Sequence, residues 1–177
     1  MREVTVTVFQ YNELDNEAQQ AAREWYRSLG CEVDWSGEYV ETLQLFGERF
    51  RLNLGRWQLG SHCNVPWRFE SASEDYHDLR GVRLWRYCRN NMLLDRLLDK
   101  DCPFTGVCFD EDILSPLREF MKRPAQDVTW RDIIGDCVDS FCSAVQSDVE
   151  YRESDEYIAE TIVCNEYEFT REGKRYV

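Results

Sequence analysis

The run from Thr129 to Phe169 carries a helical pattern of apolar residues that constrains the fold more than any other part of the chain. Its apolar residues recur at steps of three and four: Trp130, Ile134, Cys137, Phe141, Ala144 and Val145. That spacing places them on one stripe of an α-helix. Acidic residues fall on the opposite side: Asp132, Asp136, Asp139 and Glu150. An apolar stripe backed by polar residues is typical of a surface helix that covers the core of a globular domain.

The same run holds most of the charge of the protein. Between Asp136 and Glu168 there are ten carboxylates and one cation, Arg152, a net charge of −9 in a chain whose total is −13. A protein this acidic repels nucleic acid and anionic membranes, and it attracts basic protein surfaces at long range. We therefore expect neither nucleic acid nor a membrane as a direct ligand.

Length and composition predict one ordered domain, residues 1–177. A chain of 177 residues, 43% of them hydrophobic, is long enough to bury a core without disulfide or metal cross-links. The N-terminal residues lack an uninterrupted apolar segment, and no apolar run approaches the length of a membrane span. These features predict a cytoplasmic protein, in which the eight cysteines are reduced thiols.

Local patterns predict the elements along the chain. Alternation predicts strands at Glu3–Tyr11, near 50–54 and 65–69, and a strand or hairpin at the C-terminus. Helical spacing predicts helices at 36–50 and 115–121, and at 81–98 with Val82 facing inward. Capping residues predict helices from Asp15 or Asn16 to Leu29, at 130–149 with Thr129 as its cap, and from Ser154 or Asp155 onward. The predicted fold is α+β: a small, mostly antiparallel sheet begun by Glu3–Tyr11 and packed against several helices.

Residues that could carry catalysis or bind metal are present without a recognisable arrangement. The spacings Cys102-x5-Cys108 and Cys137-x4-Cys142 occur, but no CxxC or HExxH does. Cys137 and Cys142 would share a helix with Phe141 between them, which favours packing over zinc binding. The two histidines, His62 and His77, lie in polar segments that predict surface loops. The acidic run Asp110–Asp112 is expected to be a solvated helix cap. We therefore expect no catalytic residue, no cofactor and no metal, and a binding protein in place of an enzyme.

The acidic helix offers a binding surface. Five carboxylates are the candidate partner contacts: Asp132, Asp136, Asp139, Glu150 and Glu153. Carboxylates at three- and four-residue steps repeat about every 5 to 6 Å along a helix, which is close to a string of backbone phosphates. We expect such a face to fit a basic groove built for nucleic acid.

An arginine stripe provides the alternative. Arg80, Arg83, Arg86 and Arg89 recur at intervals of three, and Arg96 follows. These cations could pair with the acidic helix inside the same fold, as a surface network that contributes little per ion pair. They could also pair between two chains, which would make a homodimer.

Both ends of the chain resemble one group of proteins. Residues 13–28, ELDNEAQQAAREWYRS, follow the pattern Glu-Leu-x-x-x-Ala-x-x-x-Ala-x-x-Trp-Tyr-Arg, and residues 154–176 contain Asn-Glu-Tyr-x-Phe-x-x-x-Gly. These patterns resemble the start and the ending of small proteins encoded by tailed bacteriophages and prophages. The resemblance covers roughly a fifth of the chain and carries over no catalytic residue.

The resemblance implies a phage accessory protein in the cytoplasm of a bacterial host. Small acidic proteins of that class often inhibit host defence, so the expected function is inhibition of a host defence or nucleic-acid-handling complex, such as a CRISPR effector. The expected partner is a host protein with a basic, nucleic-acid-binding surface. The alternative is an antitoxin-like or regulatory protein that neutralises a cognate protein partner.

Overall fold

A computed structural model describes residues 6–29, 36–71, 76–92 and 94–176, and the side chains of residues 36, 95 and 96 lie outside this description. The helices are α1 (Asn16–Ser28), α2 (Ser36–Phe50), α3 (Gly81–Asn91), α4 (Leu94–Leu98), α5 (Phe109–Lys122), α6 (Trp130–Glu153) and α7 (Asp155–Cys164). The strands are β1 (Phe9–Gln10), β2 (Leu52–Leu54), β3 (Trp67–Phe69) and β4 (Glu168–Phe169).

The chain forms two compact units. The terminal unit comprises the described residues before 30 and after 148, and the central unit comprises those of 36–148. Helices dominate both units, and each contains one antiparallel two-stranded sheet, β1–β4 in the first and β2–β3 in the second. The α+β class is therefore confirmed. A single domain over 1–177 stays a prediction.

The terminal unit joins the two ends of the sequence. The Asp15 carboxylate caps α1 by accepting a hydrogen bond from the Ala18 backbone N–H at 2.9 Å. Ala18 and Ala22 are buried, and their small size brings α1 close to its neighbours. The core of this unit is completed by apolar side chains from both ends: Tyr11, Leu14, Ile158, Ile162 and Phe169. The two segments that resemble phage proteins thus pack together, although that resemblance itself stays a prediction.

The central unit has the larger core. Four helices contribute most of its buried side chains, among them Leu43 and Phe46 of α2, Leu84 and Cys88 of α3, Ile113 and Leu117 of α5, and Ile134, Cys137 and Phe141 of α6. The predicted apolar stripe of the acidic helix is thereby confirmed for Ile134, Cys137 and Phe141. Burying this stripe leaves the opposite side of α6 in contact with solvent.

The described strands form two small antiparallel sheets in place of the single sheet that was predicted. Residues 3–5 lie outside the described residues, residues 6–8 are not a strand, and β1 contains only Phe9 and Gln10. The chain turns at once because the Glu13 carboxylate accepts a hydrogen bond from the Gln10 backbone N–H at 2.8 Å, at the start of a short 3-10 helix. Within the described residues, this short strand pairs with β4, and β2–β3 forms a second sheet.

Two helices differ from prediction. The run 81–98 is split into α3 and α4, and Val82, predicted to face inward, is exposed. Helix α5 begins at Phe109 instead of residue 115 and carries Pro116 in its interior. Proline lacks the N–H that would bond the Asp112 carbonyl oxygen. The Ser140 hydroxyl on α6 donates to that oxygen at 2.8 Å, so the helix continues through the proline.

Candidate acidic binding face

The first turn of α6 is built by a reciprocal capping arrangement. The Asp132 carboxylate accepts hydrogen bonds from the Thr129 backbone N–H at 2.9 Å and the Thr129 hydroxyl at 2.7 Å. The Asp132 backbone N–H donates in turn to the Thr129 hydroxyl oxygen at 3.2 Å. These bonds satisfy groups that a helix start otherwise leaves unpaired. The predicted Thr129 cap is confirmed, and it holds the Asp132 carboxylate in place.

Asp136 and Asp139 continue the same side of α6. Both are exposed, as is Asp132, and these three residues are called the acidic face below. Within the part of the chain that the structure describes, no ion pair joins the acidic face to a lysine, arginine or histidine. The acidic face therefore presents its charge to solvent.

The pKa values of Asp132 and Asp136 are shifted in opposite directions. Hydrogen bonds from the Thr129 hydroxyl and backbone N–H lower the pKa of Asp132, helped by the charges of Arg80 and Arg131. Partial burial raises the pKa of Asp136, and the negative charges of Asp132 and Asp139 raise it further. The surroundings of Asp132 therefore favour its charged form, whereas those of Asp136 disfavour its charged form.

These directions predict opposite effects of two alanine substitutions. Asp132→Ala should lower the free energy of unfolding at pH 7 by about 1 kcal/mol, because the cap is lost. Asp136→Ala should leave it unchanged or raise it, because the desolvation of the Asp136 charge and its repulsion by Asp132 and Asp139 are both relieved. Because the pKa of Asp132 is lowered in the folded protein, its charge stabilises the fold above the ordinary pKa of 3.8, and this stabilisation is lost in acid. Because the pKa of Asp136 is raised, its charge destabilises the fold at neutral pH, and this destabilisation is also lost in acid.

Urea unfolding of both variants from pH 7 down to pH 3 measures these differences. The two curves should converge on that of the wild-type protein as the pH falls. A loss of stability in Asp136→Ala equal to that in Asp132→Ala would show that repulsion within the acidic face is negligible.

The remaining two predicted contacts lie in the terminal unit. Glu150 and Glu153 are exposed in the last turn of α6. The Glu153 carbonyl oxygen accepts a hydrogen bond from the Arg27 guanidinium at 3.3 Å, and Arg27 also forms an ion pair with Asp155. The five candidates therefore divide between the two compact units, three in the central unit and two in the terminal unit.

The arginine stripe does not neutralise the acidic face. Arg80, Arg83, Arg86 and Arg89 are exposed. Among the described side chains, which exclude that of Arg96, none of these arginines forms an ion pair with Asp132, Asp136 or Asp139. Only the charge of Arg80 reaches Asp132, where it helps to lower the pKa. Pairing between two chains stays a prediction.

Asp110 is not the solvated cap that its neighbourhood suggested. Its side chain is fully buried. One carboxylate oxygen accepts backbone N–H bonds from Phe104 at 2.7 Å, Thr105 at 2.7 Å and Gly106 at 3.1 Å. The other accepts from the hydroxyls of Thr105 at 2.8 Å and Thr42 at 2.9 Å. Four of these five bonds come from the adjacent loop and one from Thr42. Together they offset the cost of burying the carboxylate, so Asp110 anchors the 101–109 loop.

The histidines differ from each other. His62 is exposed, as predicted, whereas His77 is partly buried and stacks on Phe69 with ring centroids 4.2 Å apart. The aromatic neighbours of His77 are Phe69 and the adjacent Tyr76, so the prediction of a surface loop is wrong for His77. No hydrogen bond joins either histidine to a cysteine in the described structure, so no pair of thiol and imidazole is assembled there.

An arginine-lined cleft of about 480 Å³ was not predicted. Arg49, Arg51, Tyr76, Tyr87 and Trp130 are among its lining residues. The Arg49 guanidinium already donates to the Met92 carbonyl oxygen at 2.6 Å and stands over the Phe50 ring, with its central carbon 5.5 Å from the ring centroid. We assign no ligand to this cleft.

The described part of the molecule holds neither a metal site nor a membrane-spanning helix. Across residues 6–29, 36–71, 76–92 and 94–176, no group of three or more histidine, cysteine, aspartate or glutamate side chains is arranged to hold a metal ion. Over the same residues, each helix is too short or too polar to cross a membrane. Comparison with protein-family models, curated proteins and solved structures finds no match to this chain.

Proposed function

We propose that this chain is a non-catalytic binding protein whose acidic face occupies a basic, nucleic-acid-binding groove of a protein partner. The observation that supports this function is the exposure of Asp132, Asp136 and Asp139 on one side of α6, with no cation paired to them among the described residues. The fold tolerates these unpaired negative charges, and they gain favourable electrostatic interactions when a basic surface approaches.

The spacing of the acidic face suits a groove that binds a phosphate backbone. Steps of four and three residues along α6 correspond to about 5 to 6 Å each. A partner that binds nucleic acid carries cations at its phosphate sites, and these cations attract anions. Carboxylates fixed on a helix present a similar row of negative charge without the flexibility of a disordered acidic tail.

The resemblance of the chain ends to tailed-phage proteins supports a cellular setting for this function. We propose that the protein acts in the cytoplasm of a bacterial host and inhibits a defence or nucleic-acid-handling complex, in the manner of an anti-CRISPR protein. Exclusion of the nucleic acid from its own groove is the mechanism of inhibition.

Affinity capture from a bacterial lysate tests this function. The tagged wild-type protein should retain a nucleic-acid-handling protein that elutes as the salt concentration rises. The double variant Asp136→Lys with Asp139→Lys should retain at least about tenfold less of it, because each substitution places a cation against the basic groove. Asp132 is left unchanged because it caps α6.

A control of equal charge makes the test specific. Glu41 and Glu48 are exposed on α2 in the same compact unit, and the double variant Glu41→Lys with Glu48→Lys changes the net charge equally. It should capture the partner almost as well as the wild-type protein. Equal loss of partner capture in the two double variants would show that only the net charge of the protein matters. Capture of the protein's own copies alone would contradict the proposal and favour a homodimer, and salt-resistant capture of a small toxin would favour the antitoxin alternative.

A further inference from the structure

Two cysteines of the central unit stand in direct contact. Cys63 lies in the connection between β2 and β3, and Cys142 lies on α6. Their Sγ atoms are 2.7 Å apart, and both side chains are half-buried. A disulfide bond has an S–S length of about 2.05 Å, so a bond between these sulfurs requires a movement of less than about 1 Å.

Both partners are held where they meet. The backbones of Gln58 and Asn64 exchange hydrogen bonds at 2.9 and 2.8 Å, which closes the turn that carries Cys63. The Gln146 side-chain amide on α6 donates to the Ser61 carbonyl oxygen at 3.4 Å. On the other side of the contact, α6 is fixed by the fully buried Phe141. The sulfur contact is therefore a property of two anchored segments.

The other cysteines of the described structure are placed differently. Cys88 and Cys137 are buried in the core, Cys102 is half-buried, and Cys108 and Cys164 are exposed. No second pair of thiols within residues 6–29, 36–71, 76–92 and 94–176 is in hydrogen-bonding contact. The Cys63 and Cys142 contact is thus distinct from the packing of the core thiols.

We propose that Cys63 and Cys142 are an oxidation site, which forms an intramolecular disulfide on exchange with a low-molecular-weight disulfide such as oxidised glutathione. The thiolate of one cysteine attacks a glutathione sulfur, breaks its S–S bond and releases one glutathione thiolate, leaving a mixed disulfide. The second thiolate attacks the protein sulfur of that mixed disulfide and releases the second glutathione. Two protein thiols are oxidised, and one glutathione disulfide is reduced to two thiols.

The surroundings make this exchange slow at neutral pH. Burial raises the pKa of Cys63 to about 12, and the contact with Cys142 adds to the rise. Burial raises the pKa of Cys142 by more than the hydrogen bond from Cys63 lowers it, and the charge of Asp139 adds to the rise. Because the thiolate is the attacking species, the rate should increase about tenfold for each unit of pH between about 7 and 9. The site responds to sustained oxidation more than to a brief pulse.

Peptide mapping of the full-length protein tests the site. The reduced protein is equilibrated with excess oxidised glutathione at about pH 8.5, quenched in acid, alkylated in denaturant and digested with trypsin. Residues 57–68 should be recovered linked to residues 132–152, and the linkage should be absent from Cys142→Ser, which separates it from Cys137 on the same peptide. The midpoint of thermal unfolding should rise by roughly 5 to 10 °C on oxidation and return on reduction.

A matched control and a clear negative result complete the test. Cys108→Ser removes an exposed thiol with no sulfur contact, and this variant should form the same linkage at the same rate. Separate glutathione adducts on Cys63 and Cys142 after equilibration of the wild-type protein would overturn the proposal. So would full alkylation of both thiols in the wild-type protein, and neither result depends on the folding of a variant.

Discussion

Replacing Asp110 with alanine is expected to lower the free energy of unfolding by about 3 to 5 kcal/mol. The substitution removes the acceptor of three backbone N–H groups, those of Phe104, Thr105 and Gly106. It also leaves the hydroxyls of Thr42 and Thr105 without their carboxylate partner. Donors shielded from water and left without an acceptor cost part of their desolvation free energy, and these losses add up at one point.

Denaturant unfolding of two further variants separates the hydrogen bonds from the charge. Asp110→Asn should lose less than about half as much stability, because its amide oxygen still accepts the backbone donors and its amide nitrogen can donate to the two hydroxyls. Glu111→Ala, at the exposed neighbouring position, should change the free energy of unfolding by less than about 0.5 kcal/mol. A loss below about 1 kcal/mol in Asp110→Ala would refute the role of this carboxylate as an anchor.

Gly173→Ala is expected to disrupt the terminal unit, with a loss of about 2 to 4 kcal/mol. Gly173 has φ +75°, a conformation that residues with a Cβ rarely adopt. A Cβ at this position would also lie 2.1 Å from the Ala18 carbonyl oxygen and 2.9 Å from its carbonyl carbon. Neither the backbone of α1 nor the turn after β4 can move aside without opening the contact between the two ends of the chain.

Hydrogen exchange measured by mass spectrometry localises this effect. Peptides from residues 6–29 and 155–176 should exchange faster in Gly173→Ala, because the packing of Trp25 against Tyr167 and Phe169 is lost. Gly106→Ala is the matched control, since Gly106 has φ +85° and no neighbouring atom lies within 4 Å of the place that its new methyl group would take. Gly106→Ala should lower the free energy of unfolding by only about 1 kcal/mol, the cost of placing an alanine at positive φ. Equal exchange in the two variants would show that the contact with Ala18 is unimportant.

Local sequence signals were sufficient where the structure is made by local interactions. Asp15, Thr129 and Ser154 start α1, α6 and α7 as predicted, because a capping side chain bonds backbone groups only three residues away. The apolar stripe of α6 was equally readable, since helical spacing alone determines which side chains share a face.

Distant contacts decided the features that the sequence did not reveal. β1 pairs with β4 across the whole chain, and no local pattern encodes that partner. One of the five hydrogen bonds to the buried Asp110 carboxylate comes from Thr42, far away in sequence. The continuation of α5 through Pro116 depends on Ser140. Within the candidate site, the exposure of all five carboxylates followed from helical spacing. Their division between two compact units did not, because it depends on how the chain ends pack.

Competition for the captured partner tests the proposed function most directly. The partner's affinity for its own nucleic acid is measured at several concentrations of the wild-type protein and of the Asp136→Lys, Asp139→Lys variant. We expect mutually exclusive binding by the wild-type protein, weakening steeply as salt rises, and no competition by the variant. A ternary complex in which the partner keeps its full affinity for nucleic acid would contradict the proposed function.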